Sequence, residues 1–177
     1  MQKAIFLDRD GTIIEDVGYI KTTKEVVFFD NTFDALKILQ KDYLFFIVTN
    51  QSGIAKYLLT IEEVNNVNNY IVEKLNRESI KTTEVFVCPH KKEDNCKCHK
   101  PKPYFLLEAT KKYNIGLSNS YVIGDHPSDV YCAENAGANG IYILTGHGNK
   151  HLNEFVTRPI NKNDILEAAN YIKLNKG

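Results

Sequence analysis

The chain has no surplus of charge: 22 Lys and Arg stand against 22 Asp and Glu, a formal net charge of +0. The basic footprint of a protein that lives on nucleic acid or on an anionic membrane is therefore missing. Long apolar runs are missing too, and no stretch approaches the roughly 20 apolar residues needed to span a bilayer. Near the start, the four residues Ala4 to Leu7 run straight into Asp8, Arg9 and Asp10. That run is too short for the apolar centre of a secretory signal, so a soluble, cytoplasmic chain is expected, with no nucleic-acid or membrane partner. There is no internal repeat, low-complexity linker or break in composition, and 177 residues read as one domain over 1–177. Cysteine is scarce, but three of the four, Cys88, Cys96 and Cys98, fall within eleven residues. Such clustering without a secretion signal favours metal over a disulfide framework. What the chain does have is 43% hydrophobic residues, enough to build a core.

Those residues are ordered in alternating periods. Short apolar runs at 3–8, 43–49, 84–88, 120–124 and 140–145 predict buried strands. Helical spacings fill 32–41 and 60–75, the second opened by a capping box at Thr60 and Glu63. Further helices are expected from Pro103 to a stop at Gly116, from Ser128 to a stop at Gly137, and over 164–174. Strand and helix in alternation predict an α/β fold, a doubly wound parallel sheet with helices on both faces. Ligands of such sheets bind outside the carboxyl ends of the strands. Asp8 and Asp10 follow the first strand, Thr49 and Asn50 the second, Asp125 and Asp129 the fourth. One acid at a strand end is usually a turn former or a cap; three strand ends that present acids or hydroxyls together outline a site.

Asp8-Arg9-Asp10-Gly11-Thr12 is not a calcium loop, because it follows a strand and lacks the third acid before its glycine. With Thr49-Asn50, Lys100 and Gly124-Asp125-x-x-x-Asp129 it resembles the four motifs of the haloacid dehalogenase (HAD) superfamily of phosphohydrolases, in their usual order. The resemblance implies phosphoryl transfer through an aspartyl-phosphate. Asp8 would be the nucleophile, and Asp10 the acid for the leaving alcohol and then the base for water. Thr49 and Asn50 would bind phosphoryl oxygens, and Lys100 would offset their charge. Carboxylates facing a phosphate dianion need a cation between them, and Mg2+ held by Asp8, the backbone carbonyl of Asp10 and Asp125 would supply it.

A second constellation, Cys88-Pro89-His90 followed after five residues by Cys96-Lys97-Cys98, matches a closed tetrahedral Cys3His zinc site. The charged residues between its two halves mark an exposed loop. The zinc would be structural and would pin the segment that presents Lys100; Cys132, on a helix, is expected in the core.

Within the superfamily, the zinc loop resembles two branches that lack a large cap domain: the heptose bisphosphate phosphatases and the histidinol-phosphatase domain. The Asp16-x-Gly18-Tyr19 and Ser52-Gly53-Ile54-Ala55 segments look like the heptose branch, while the five-residue gap between His90 and Cys96 looks like the histidinol branch. The substrate-side segments decide for a sugar bisphosphate, with Asp16, Tyr19, Ser52, His99 and His126 expected at the substrate. The heptose pattern usually carries Arg where His99 stands and Lys where His126 stands. Two permanent cations become titratable imidazoles, whose grip on a second phosphate would weaken as pH rises through about 6–7.5. Lys56, His147 and Lys150 are candidate replacements, although 145–151 also reads as a plain Gly/Asn loop. Two rival readings are a zinc-stapled binding module without turnover and a nucleic-acid 3′-phosphatase. The intact Asp8/Asp10/Lys100/Asp125 set speaks against the first and the neutral charge against the second.

Overall fold

The computed structural model describes residues 1–175. Its centre is a strand that is buried at every position, β1 (Ala4–Leu7). Side chains alternate across a strand, so Ile5 and Leu7 enter one apolar layer while Ala4 and Phe6 enter the other. A strand buried on both faces belongs in the middle of a parallel sheet, and β1 pairs in parallel with β2 (Leu44–Asn50) and with β4 (Tyr121–Gly124). Outward from these lie β3 (Thr82–Cys88), β5 (Asn139–Ile143) and β6 (Asn161–Lys162), in the order β3-β2-β1-β4-β5-β6.

Five helices close the two faces. Residues of α1 (Thr32–Leu39), α2 (Ile61–Arg77) and α6 (Ile165–Leu174) pack with Ile5, Leu7, Phe45 and Ile47 on one side. On the other, α3 (Tyr104–Tyr113) and α4 (Pro127–Ala136) contribute Leu106, Ala109, Cys132 and Ala133 beside Phe6 and Phe46. Cys132 is thus a core residue, as its helical position suggested. The capping box of α2 is in place: Thr60 Oγ1 accepts from Glu63 N at 3.1 Å, and Glu63 Oε2 accepts from Thr60 N at 2.7 Å. Such a cap contributes about 1 kcal/mol.

Three local readings are corrected. α3 stops at Asn114, which takes the left-handed conformation (φ 55°) before Gly116 is reached, because Asn tolerates that region almost as Gly does. The 145–151 stretch includes a short helix, α5 (Gly148–His151). β6 was not anticipated; two polar residues at a sheet edge carry no apolar signature.

The strand order reverses between β1 and β4, which places a crevice at their carboxyl ends. Asp8 and Asp125 are the residues that follow those two strands.

Candidate active site

A cleft of about 560 Å³ opens over this crevice. Asp8, Asp10, Asp16, Tyr19, Thr49, Asn50, Ser52, His99, Lys100, Asp125 and His126 all line it. These are all the catalytic, substrate and magnesium positions read from the sequence, gathered from five separate segments.

At its floor Lys100 is buried among oxygens. Nζ donates to Asp8 Oδ1 at 2.7 Å and to the carbonyl of Val48 at 2.8 Å, and forms an ion pair with Asp129 Oδ1 at 2.6 Å. Burial alone would lower the pKa of Lys100, but the charges of Asp129 and Asp8 outweigh it and hold the ammonium above the ordinary lysine range. Asp129, which the sequence left without a role, positions this cation; its other oxygen accepts from His126 N at 3.2 Å.

Asp8, Asp125 and Asp129 bring carboxylate oxygens within 4.8 Å of one another. Three carboxylates face one ammonium, so two negative charges remain uncompensated when all are ionised. The strain shows in their protonation: burial, then the charges of Asp8 and Asp129, pushes Asp125 up to about 8. Burial pushes Asp129 up to about 6 against the pull of Lys100. A divalent cation that prefers oxygen donors fits this charge and this donor set. Gly11 makes the close approach possible: it sits at φ +79°, and a Cβ there would lie 2.1 Å from Asp125 Oδ2. Backbone N–H of His147 donates to the same oxygen at 2.7 Å.

Asp10 is oriented by Arg9 and by Gln51, whose Nε2 donates to Oδ2 at 2.8 Å. Burial raises its carboxyl above the usual range, with Arg9 working in the opposite direction. A carboxyl whose proton is held more tightly than usual is better suited to act as an acid as well as a base. Gln51 also donates to Thr49 Oγ1 at 2.8 Å, leaving the threonine hydroxyl proton free for an anion. Asn50 lines the cleft, and its Oδ1 accepts from Lys100 N at 3.2 Å, so it also pins the segment that carries the lysine. Arg9 stood inside the first motif and Gln51 between Asn50 and Ser52, yet neither was singled out.

His126 lines the cleft, but not as a cation. Its ring caps α4, with Nδ1 accepting from Ser128 N at 3.2 Å. Burial and the nearby His151 lower its pKa, which moves the anticipated titration down and leaves the imidazole neutral at physiological pH. His99 Nδ1 lies 2.8 Å from the Lys100 carbonyl and 3.3 Å from Asn50 Nδ2. Among the candidate replacements, Lys56 donates to the Tyr19 hydroxyl at 3.2 Å, and His147 Nε2 lies 3.7 Å from Asp16 Oδ2.

Next to the cleft, Cys88, His90, Cys96 and Cys98 converge. Their Sγ–Sγ distances are 3.2, 3.6 and 3.7 Å, and His90 Nδ1 lies 3.8 and 3.6 Å from Cys88 and Cys98. Zinc bonds of about 2.3 Å to sulfur and 2.0 Å to nitrogen give tetrahedral edges of about 3.5–3.8 Å, so the donors already stand close to that figure. Burial pushes the Cys88 and Cys98 thiols up. At Cys96 burial pulls the same way, but backbone N–H groups of Cys98 and His99 outweigh it and hold the thiol below its usual range. Lys102 Nζ braces the loop through the carbonyls of Asn95 and Cys96. No helix among the described residues is long and apolar enough to cross a membrane.

Comparison with known proteins places these features in a lineage. A family described as HAD-hydrolase-like matches residues 97–167. The chain is 37% identical over 145 residues to D-glycero-beta-D-manno-heptose-1,7-bisphosphate 7-phosphatase of Helicobacter pylori, covering 81% of this chain and 83% of that one. It is 34% identical to D-glycero-alpha-D-manno-heptose-1,7-bisphosphate 7-phosphatase of Campylobacter jejuni, over 93% and 94% of the two chains. Among solved structures, the D,D-heptose 1,7-bisphosphate phosphatase of B. bronchiseptica, complexed with magnesium and phosphate, superposes with a TM-score of 0.90. That match has 26% identity and covers 98% of this chain and 99% of the other. With a fold, a cleft and relatives that agree, the chain belongs to the heptose 1,7-bisphosphate 7-phosphatase family of the HAD superfamily.

Proposed function

We propose that this chain, working as a single domain, removes the 7-phosphate of D-glycero-D-manno-heptose 1,7-bisphosphate through an aspartyl-phosphate on Asp8. The observation that carries the reading is the convergence of Asp8, Lys100 and Asp125 with the separately held Asp10 in one cleft, in a chain of this family.

Lys100 fixes one oxygen of Asp8 and leaves the other to attack phosphorus. As the bond from phosphorus to the sugar oxygen breaks, Asp10 gives that oxygen its proton. Water then attacks the acyl-phosphate, Asp10 takes the proton back, and inorganic phosphate leaves with Asp8 restored. Thr49 and Lys100 face the charge that builds on the phosphoryl oxygens. Mg2+ would be held by Asp8, Asp125 and the backbone carbonyl of Asp10, and when bound it offsets that charge and the surplus of the carboxylates. Zinc, held by Cys88, His90, Cys96 and Cys98, would be structural, since all four positions of a tetrahedron are filled by protein.

The test is a panel of both anomers of heptose 1,7-bisphosphate, histidinol phosphate and hexose monophosphates, assayed with Mg2+. The highest kcat/KM is expected for a heptose bisphosphate. Asp8→Asn should show no turnover and Asp10→Asn a rate lower by about 10²–10⁴-fold. A preference for histidinol phosphate would overturn the substrate, and a near-wild-type Asp8→Asn would overturn the mechanism.

A further inference from the structure

A substrate with a second phosphate must meet a second positive charge, and the cleft has little to offer. Its lining includes five aspartates, Asp8, Asp10, Asp16, Asp125 and Asp129, against two lysines, Lys92 and Lys100. Lys100 is consumed by Asp8 and Asp129. The buried Arg9 behind the wall is consumed by Asp10 and Asn68. The ring of His126 is an acceptor for the start of α4, and that of His147 faces Asp16. Lys56 reaches the rim only through the Tyr19 hydroxyl.

Lys92 is different. It is exposed, it lines the cleft, and among the described residues no carboxylate lies within 4.0 Å of its ammonium. It opens a 3-10 turn, Lys92–Asp94, inside the loop between His90 and Cys96, so the thiol–imidazole cluster anchors both ends of its segment. Of the two acids on that turn, Asp94 is engaged elsewhere, accepting from Lys91 N at 3.1 Å and pairing with Lys91 Nζ at 4.0 Å, and Glu93 forms no ion pair with Lys92. Lys102 braces the far side of the turn through Asn95.

We propose that Lys92 is the specificity-determining cation of this cleft and binds the phosphate of the substrate that is remote from Asp8. The inference rests on the bisphosphate reading above. It gives the Cys88–Cys98 loop a second task, since the cluster that orders the loop also carries a substrate contact. An ammonium paired with a phosphate dianion at this exposed site, with no carboxylate within ion-pair distance, is worth about a tenfold change in affinity.

The experiment uses hydrolysis of an aryl phosphate by the whole magnesium-loaded protein, with heptose 7-phosphate and heptose 1,7-bisphosphate as competitors. The readout is the ratio of the two inhibition constants. Wild type should favour the bisphosphate. Lys92→Met, which keeps the length of the side chain and removes its charge, should shrink that preference about tenfold, and Lys92→Arg should restore most of it. Zinc content measured on each variant separates loss of the cation from loss of the loop. A ratio unmoved in Lys92→Met, or no preference in wild type, overturns the proposal. If wild type hydrolyses the aryl ester but never the heptose bisphosphate, the substrate reading fails by itself, and the ratio still reports on Lys92.

Discussion

The guanidinium of Arg9 grips the carboxylate of its own neighbour, Asp10: Nε donates to both oxygens at 3.1 Å and Nη2 to one at 2.9 Å. Arg9 is almost wholly buried, and its remaining nitrogen donates to Asn68 Oδ1 at 2.8 Å on α2. Asp10 is thus tied to the helical layer rather than left to swing in the cleft. Removing one partner of a buried ion pair costs about 3–5 kcal/mol, so Arg9→Met should unfold at clearly lower urea. Because Arg9 lowers the pKa of Asp10, the limb of the pH–rate profile governed by Asp10 should move up in Arg9→Met. Arg9→Lys, with charge but no planar fork, should fall between the two. A profile that stays in place while stability drops would reduce Arg9 to a space filler.

The crowded carboxylates make a prediction about magnesium and pH. Asp125 titrates near 8 in the folded chain against an ordinary carboxylate value of 3.8, so between these values the folded state binds more protons than the unfolded state. Stability must then fall as pH rises through that window, and level off above it. Protein dialysed free of magnesium should lose on the order of 1 kcal/mol between pH 7 and pH 8.5. Saturating Mg2+ should remove the slope and raise the melting temperature most at the higher pH. Denaturant melts at the two pH values, with and without Mg2+, decide the matter; metal-free protein that gains stability with pH contradicts this assignment.

Zinc should co-purify at one ion per chain and survive a chelator treatment that strips magnesium. Cys96→Ser should lose the ion and lower the melting temperature, since a structural zinc contributes folding free energy directly. Because Lys100 lies two residues past Cys98, the same variant should also lose turnover. Metal analysis that finds no zinc in protein prepared under reducing conditions would sink the assignment.

His126 should behave as a helix cap. Its lowered pKa favours the neutral ring in the folded state, so its contribution is present above about pH 6.5 and is lost as pH falls through the lowered value. His126→Ala should cost about 1 kcal/mol at pH 7.5, while His126→Asn, which can still accept from Ser128 N, should cost much less. Below pH 6 the gap between wild type and the alanine variant should narrow. A gap that widens instead would mean the imidazolium is the stabilising form.

Much of this was legible before any coordinates, for a physical reason. Central parallel strands bury both faces, so Ala4–Leu7 and Leu44–Val48 stand out as uninterrupted apolar runs, and their carboxyl ends point to Asp8 and Thr49. The cluster of three cysteines and a histidine was legible because its members are close in sequence. What escaped depends on contacts between distant segments. Nothing in the spacing tells that Asp129 reaches Lys100, that Asn50 accepts from the lysine segment, or that the loop between His90 and Cys96 brings Lys92 to the cleft wall. The neutral His126 escaped for a related reason: a substitution pattern suggests a lost cation, whereas only the backbone of α4 reveals a ring serving as its first acceptor.

The seam between β1 and β4 separates two kinds of residue. Asp8 and Asp125 leave the sheet at adjacent strand ends, where paired backbones hold them, and Lys100 is clamped onto the same floor. Asp16, Tyr19, Ser52 and Lys92 hang on surface loops that tolerate change. Grafting a different rim onto this chain should therefore redirect it among phosphate esters without rebuilding the reaction centre, which makes the short loops around 16–19 and 91–95 the natural places to engineer.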